Sequence, residues 1–248
     1  MNVIKDYIGN VKGILDTVLE TQAQAMEDAA RMISDATLQG RNVFAFGCSH
    51  AGLVTLELYY RTGGMATINP VRAPGLNLDV DPATMTSQME RLNDYGRLII
   101  DALPLGQGDV IIIHSVSGRN PVTIDAALRA REKGAKVIAL TNMKTSTTVT
   151  SRHPLGKNLY QTADLVIDNC GERGDASLVI ENVPERVAPT STTIGAAILN
   201  AIVAQAVDNI VRAGGVAPVF ISGNLDGSDA HNQLIFEKYK EHIFYMGN

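Results

Sequence analysis

Between Ile4 and Ala36 a series that is apolar except at Gln22 recurs at alternating spacings of four and three: Ile4, Ile8, Val11, Leu15, Val18, Gln22, Ala25, Ala29, Met32 and Ala36. A seam of that 3.5-residue period predicts one long helix, or two, over residues 1–39, packed along another helix. Gly9 and Gly13 weaken its first turns, each by about 1 kcal/mol relative to Ala, and Gly40 suits its end. The seam can face either a symmetry-related subunit or the helix's own domain.

From residue 42 the rhythm becomes strand, tight loop, helix. Residues 42–46 form a short apolar run, followed by Gly47-Cys48-Ser49-His50 and a helix to about residue 62. A short extended piece over 66–71 leads into an irregular stretch, 74–84, that holds Pro74, Gly75, Asp79, Asp81 and Pro82. A helix over 85–103 comes next, then a continuous apolar strand over 109–115. The order continues with a helix over 121–133, a strand over 136–141, a fourth strand over 165–168 and a candidate fifth over 178–180. An apolar helix over 192–211 and an amphipathic one over 232–243 complete it. Unbroken Val/Ile runs alternating with helices predict a parallel sheet covered on both faces. The fold class is α/β, a doubly wound five-stranded parallel sheet with flavodoxin-like layers and a long N-terminal helical extension.

Composition narrows the function classes. The chain has 248 residues, 45% hydrophobic and 19% charged, enough for a real core and incompatible with disorder. The expected division is a helical segment over 1–39 that serves oligomerisation and a domain over 40–248. No apolar run approaches the roughly 18–20 residues of a membrane span, and the N-terminus has no signal-peptide pattern. A net charge of −5 without any Lys/Arg stripe argues against nucleic acid. Two cysteines, Cys48 and Cys170, form no disulfide framework, so a cytoplasmic protein with reduced thiols and no membrane partner is expected.

The first loop fits neither nucleotide motif. Ser49 stands where a dinucleotide fingerprint needs its middle glycine, and Leu53 and Val54 follow Gly52 where a P-loop needs Lys and Ser/Thr. The five histidines show no helical i,i+4 pair and no paired-cysteine context, so neither a metal nor a cofactor is expected. The hydrolase elbow G-x-S-x-G is absent as well.

Two segments could cradle an anion. Ser115-Val116-Ser117-Gly118-Arg119-Asn120-Pro121 follows a buried strand and opens a helix, with Asn120 a good N-cap and Pro121 a good first residue. Unpaired amides at the helix start, the freedom of Gly118 and two hydroxyls suit a phosphate monoester. An ordinary capped turn with solvated serines would carry the same residues. Thr190-Ser191-Thr192-Thr193 precedes the apolar helix and holds more hydroxyls than one cap needs, so Ser191 and Thr192 are further ligand candidates.

The Ser115-x-Ser117-Gly118 turn, the Gly47-Cys48-Ser49-His50 loop, the run from Asp164 to Ala176 and the run from Pro189 to Ala197 together resemble the sugar isomerase (SIS) domain family. The likeness is greatest to the small phosphoheptose isomerase-like group and covers about residues 40–248. It implies a five-stranded parallel sandwich that binds a phosphorylated sugar, as a homodimer or homotetramer. It also implies that Ser115, Ser117 and Asn120 form the phosphate loop, with Ser49 completing the pocket. The chain departs from the family pattern at Asn120-Pro121, where many members carry Thr, and at Ala51, where the close group has a hydroxyl.

Aldose–ketose isomerisation through a cis-enediol needs a base and a group that opens the ring. Glu57 either pairs with Arg61 on the surface, four residues on, or serves as base, the role the resemblance implies. His231 lies in the polar stretch 226–232, and the resemblance implies that it reaches a neighbouring subunit's site. His50 sits on the first loop, and Asn169 and Asp175 flank a Gly-containing loop at the ligand edge; Asp175 could equally cap a helix. The expected activity is a sugar-phosphate isomerase. The alternatives are a phosphosugar lyase or deglycase on the same fold, and a non-catalytic phosphosugar sensor.

Overall fold

Five apolar runs pair side by side in a computed structural model that describes residues 2–246. They are β1 (Val43–Gly47), β2 (Ile68–Val71), β3 (Val110–His114), β4 (Lys136–Thr141) and β5 (Leu165–Asp168), all parallel, in the order β2-β1-β3-β4-β5. The register sets Val43 against both Ile68 and Val110, and Ile138 against Leu165. The fifth strand is therefore 68–71. Residues 178–180, the candidate from the apolar pattern, adjoin a separate antiparallel pair, β6 (Ala176–Leu178) with β7 (Val187–Pro189). Asn69 and Pro70 interrupt the apolar run of β2, which an edge strand tolerates.

Strand alternation divides the core in two. Val110 and Ile112 of β3 face α1 (Val3–Leu38), α2 (His50–Leu56) and α7 (Ser191–Arg212), with Ile33, Val54, Ile198 and Ile202 packed on them. Ile111 and Ile113 face α4 (Tyr95–Asp101) and α5 (Pro121–Glu132), beside Phe44, Phe46, Ile100 and Ile124. Three short or peripheral helices complete the set: α3 (Met85–Met89), α6 (Met143–Ser146) and α8 (Ser228–Tyr239).

Several expected boundaries move. The helix after the first loop stops at Leu56, and the single helix expected over 85–103 divides into α3 and α4 around Asp94, whose φ is +63°. Gly96 then lets α4 approach α5: a Cβ there would lie 2.0 Å from the Val122 carbonyl oxygen. α7 is long and apolar enough, by length and composition, to cross a membrane, which corrects the expectation that no segment is. Here it is a core helix that buries Ile194, Ile198, Leu199, Ile202 and Val203.

The α1 seam packs into its own chain. Val18, Ala29, Ile33 and Ala36 are buried in the core shared with α7. The N-terminal turns are bare: Ile4 is 79% exposed and Ile8 54%.

Candidate functional site: an anion cup at the crossover point

In open α/β sheets, ligands bind beyond the carboxyl ends of the strands where the strand order reverses. The chain steps outward from β1 to the edge strand β2 and then crosses back to β3 on the other side of β1, so that point lies between β1 and β3. Cys48 and Ser49 stand on one side and residues 115–120 on the other.

The backbone of 115–119 is held with every carbonyl turned into the protein. Thr141 Oγ1 donates to Ser115 O (2.7 Å) and the Asn142 amide to Val116 O (3.1 Å). Ser146 Oγ donates to Ser117 O (3.0 Å), the Leu159 amide to Gly118 O (2.8 Å) and the Arg152 amide to Arg119 O (2.9 Å). On the amide side, Ser115 N–H bonds Leu140 O and Gly118 N–H bonds Ser115 Oγ. The amides of Val116, Ser117, Arg119 and Asn120 have no acceptor among the described residues, and neither does the Ser117 hydroxyl. A loop with its acceptors tied back and its donors free is a nest for an anion. Gly118 makes the turn at φ +59°. A Cβ there would press on Leu159 Cβ and Ser146 Oγ, both at 3.2 Å.

Across the crevice, Ser49 precedes α2 at φ 55°, ψ −130°, held by its amide bond to Leu76 O (2.7 Å). Its side chain makes no capping bond. Gly47 allows the loop to fold back on itself, since a Cβ would lie 2.6 Å from Ala51 O. His50 is exposed in the first turn of α2.

The remaining sequence candidates have partners of their own. Asp175 caps α7: Oδ1 accepts from the amides of Thr190 (3.0 Å) and Ser191 (2.7 Å), and Oδ2 accepts from Ser191 Oγ (2.7 Å). Thr192 is exposed in the first turn of that helix. Buried Asn169 accepts from Asn142 Nδ2 (2.7 Å) and from the Gly171 amide (3.0 Å). Asn120 has its side chain turned away from its own helix, between Glu90 Oε2 (2.6 Å) and Arg152 Nη1 (2.8 Å). Glu57 forms an ion pair with Arg61, both side chains being about 40% exposed. His231 lies inside α8, not in a loop before it, with Nε2 3.1 Å from Val219 O. Arg61, together with Asp229 and Asn232 of α8, lines a cavity of about 450 Å³ near Phe220. No hydrogen bond joins Glu57 or His231 to the cup among the described residues.

Two further ionisable groups lie beside the cup. His114 ends β3 directly beneath the cup and is 1% exposed. Its Nδ1 lies 3.1 Å from Ala51 O, an acceptor only, so Nδ1 carries the proton and Nε2 the lone pair. Nε2 is buried without a partner. Burial pushes the imidazole pKa down to about 4. Glu90 follows α3; burial pushes its carboxyl up, and the Asn120 bond with the charges of Arg91 and Arg152 pulls it partly back. Nothing local in the sequence marks it, because its burial depends on the break between α3 and α4 at Asp94.

The SIS domain family matches residues 6–142, more than half of the chain. The chain belongs to the SIS domain family. UPF0309 proteins of Shouchella clausii and Oceanobacillus iheyensis are each 43% identical to this SIS-domain chain over 246 residues, covering 99% of it and 100% of theirs. Among solved structures, a phosphoheptose isomerase from Francisella tularensis superposes with a TM-score of 0.51 at 17% identity, covering 83% of this chain and 96% of that one. The sugar isomerase domain of an RpiR transcription factor from Sphaerobacter thermophilus gives 0.50 at 16% identity, covering 96% of each. These two likenesses establish the SIS fold, with its five-stranded parallel sheet.

Proposed function

We propose that this SIS-domain chain binds the phosphate of a phosphorylated sugar in the 115–120 cup and isomerises the sugar between aldose and ketose. The observation that carries the reading is the one-sided commitment of that loop: five carbonyls tied into the protein and four amides left without acceptors. Folding has already oriented the donors, so little reorganisation opposes anion binding. The phosphate would take the amides of Val116, Ser117, Arg119 and Asn120 with the Ser117 hydroxyl, and Ser49 would approach from the β1 side. The sugar would then lie along the β1/β3 crevice, where a carboxylate can carry a proton between adjacent carbons. The similarity to a phosphoheptose isomerase supports this chemistry. The similarity to the sugar isomerase domain of a transcription factor keeps a non-catalytic sensor as the competing outcome.

The test is a binding and turnover screen with fructose 6-phosphate, ribulose 5-phosphate and sedoheptulose 7-phosphate against their unphosphorylated sugars. Phosphate-dependent binding that disappears in Ser117→Leu, in a variant that still folds, is the expected result. Equal binding of phosphorylated and free sugars would refute the cup.

A further inference from the structure

The sequence has no Lys/Arg stripe, yet folding gathers three arginines from separate stretches beside the cup. Arg91 follows α3, Arg119 belongs to the cup loop and Arg152 lies in the loop after α6. The Arg119 carbonyl accepts from the Arg152 amide (2.9 Å), and Arg152 Nη1 donates to Asn120 Oδ1 (2.8 Å). The Glu90 carbonyl accepts from the Val122 amide (3.3 Å), which brings Arg91 to the start of α5. Arg119 and Asn120 also supply two of the free cup amides. One guanidinium therefore leaves from the cup itself, and a second is bonded to its last residue.

None of the three forms an ion pair among the described residues, whereas Arg129, further along α5, bridges Asp101 and Glu132. The Arg91 side chain makes no hydrogen bond there, Arg119 donates only from Nε, to Thr150 O (3.0 Å), and Arg152 only from Nη1. Burial and then the charges of Arg119 and Arg91 push the Arg152 guanidinium down, against the opposing pull of Glu90. That one carboxyl is itself pushed up by burial and engaged by Asn120. The rim is left positive, with guanidinium donors to spare. A single phosphate in the cup does not use them, because amides and the Ser117 hydroxyl already serve it. A second anion would relieve the repulsion among the three.

We propose, on the phosphosugar reading above, that Arg91, Arg119 and Arg152 form a second anion subsite beside the cup, which selects sugar phosphates that carry a further acidic group. The planar fork of a guanidinium matches a phosphate or a carboxylate equally well.

Calorimetric titration of the full chain in about 0.1 M salt tests this with two matched pairs. Fructose 1,6-bisphosphate is compared with fructose 6-phosphate, and gluconate 6-phosphate with glucose 6-phosphate. The diacid is expected to bind at least about tenfold more tightly than its monoester. An advantage for either diacid supports the subsite, and the larger one names the second acid. In Arg91→Gln/Arg152→Gln the advantage should fall by about tenfold. It should persist in Arg41→Gln, which makes a single charge change just before β1, at the opposite edge of the sheet. Monoester binding with no diacid advantage would overturn the subsite and leave the cup intact. An advantage that survives the double substitution, or that Arg41→Gln abolishes as well, would also overturn it. No binding of either ligand would overturn the cup together with the subsite. Should the double variant fail to fold, Arg91→Gln alone decides, because its side chain holds nothing in place. An unchanged ratio of the two affinities in that variant would refute the proposal.

Discussion

Replacing Gly118 by Ala tests whether the cup depends on how its backbone is held. Gly118 has φ +59°, and a Cβ would meet Leu159 Cβ and Ser146 Oγ at 3.2 Å each. A left-handed residue other than Gly costs about 1–2 kcal/mol, while the stiffer unfolded chain returns about 0.4–1 kcal/mol. The two tight contacts add strain, because Ser146 is itself fixed between Thr141 Oγ1 (2.7 Å) and Ser117 O (3.0 Å). The expected net loss is about 1–2 kcal/mol, or roughly 2–8 °C in melting temperature for a chain this long. Gly214 supplies the control: its φ is +79°, and nothing lies within 4 Å of a Cβ there. Gly214→Ala carries the backbone penalty alone. Differential scanning calorimetry and phosphate titration of the two variants separate the contributions. Gly118→Ala should melt lower than Gly214→Ala and should bind inorganic phosphate at least about tenfold more weakly, one charge-assisted hydrogen bond being worth about 1.5–3 kcal/mol. Equal melting temperatures with unchanged phosphate affinity would refute the claim that the tied-back turn makes the site.

Asp175→Asn should lower stability by about 1–2 kcal/mol, because it removes a charged cap from a 22-residue helix; an unchanged denaturation midpoint would contradict that assignment. For His114, burial lowers the folded pKa from 6.5 to about 4, so below pH 6.5 the unfolded chain binds a proton that the native one refuses. Stability from this group is complete above pH 6.5 and is lost as pH falls towards 4, by up to about 1.4 kcal/mol per unit. Urea denaturation of His114→Asn should therefore show a flatter acid dependence than the wild type, and parallel curves would disprove the linkage. The bare turns of α1, with Ile4 and Ile8 exposed, are expected to pack on a second copy. Light scattering of Ile4→Glu/Ile8→Glu at micromolar concentration should then report a smaller species than the wild type, and a monomeric wild type would end that expectation.

The order of elements was legible because it rests on local periodicity. Unbroken runs such as 110–114 and 136–141 announce parallel strands buried on both faces, and their alternation with helices announces the winding. The residues of the cup were legible too, since Ser115, Ser117, Gly118 and Asn120 lie within one turn of chain and carry a cap, a hydroxyl pair and a flexible hinge. The helix seam was legible as a seam, but a 3.5-residue period says only that a helix packs and is silent about which surface it packs on. Ala29, Ile33 and Ala36 chose α7 of the same chain. Glu57, nominated from its place on the helix and from resemblance, lies in an ion pair with the residue four positions on, an interaction equally visible in the sequence.

What the sequence determined by itself was therefore the fold class, the strand–loop–helix units and the serine–glycine turn proposed as the anion cup, all properties of residues close in the chain. Tertiary structure decided which donors in that segment stay free. Five carbonyls are tied, and three of the groups that tie them lie on the stretch 141–146 while the other two come from Arg152 and Leu159. It likewise decided that Asp175 caps a helix and that Glu90 accepts a hydrogen bond from Asn120, thirty residues further along the chain. Those pairings connect distant parts of the chain across the sheet edge. Hydrogen bonds and burial between such parts exist only once the strands have set their order, so no local pattern encodes them.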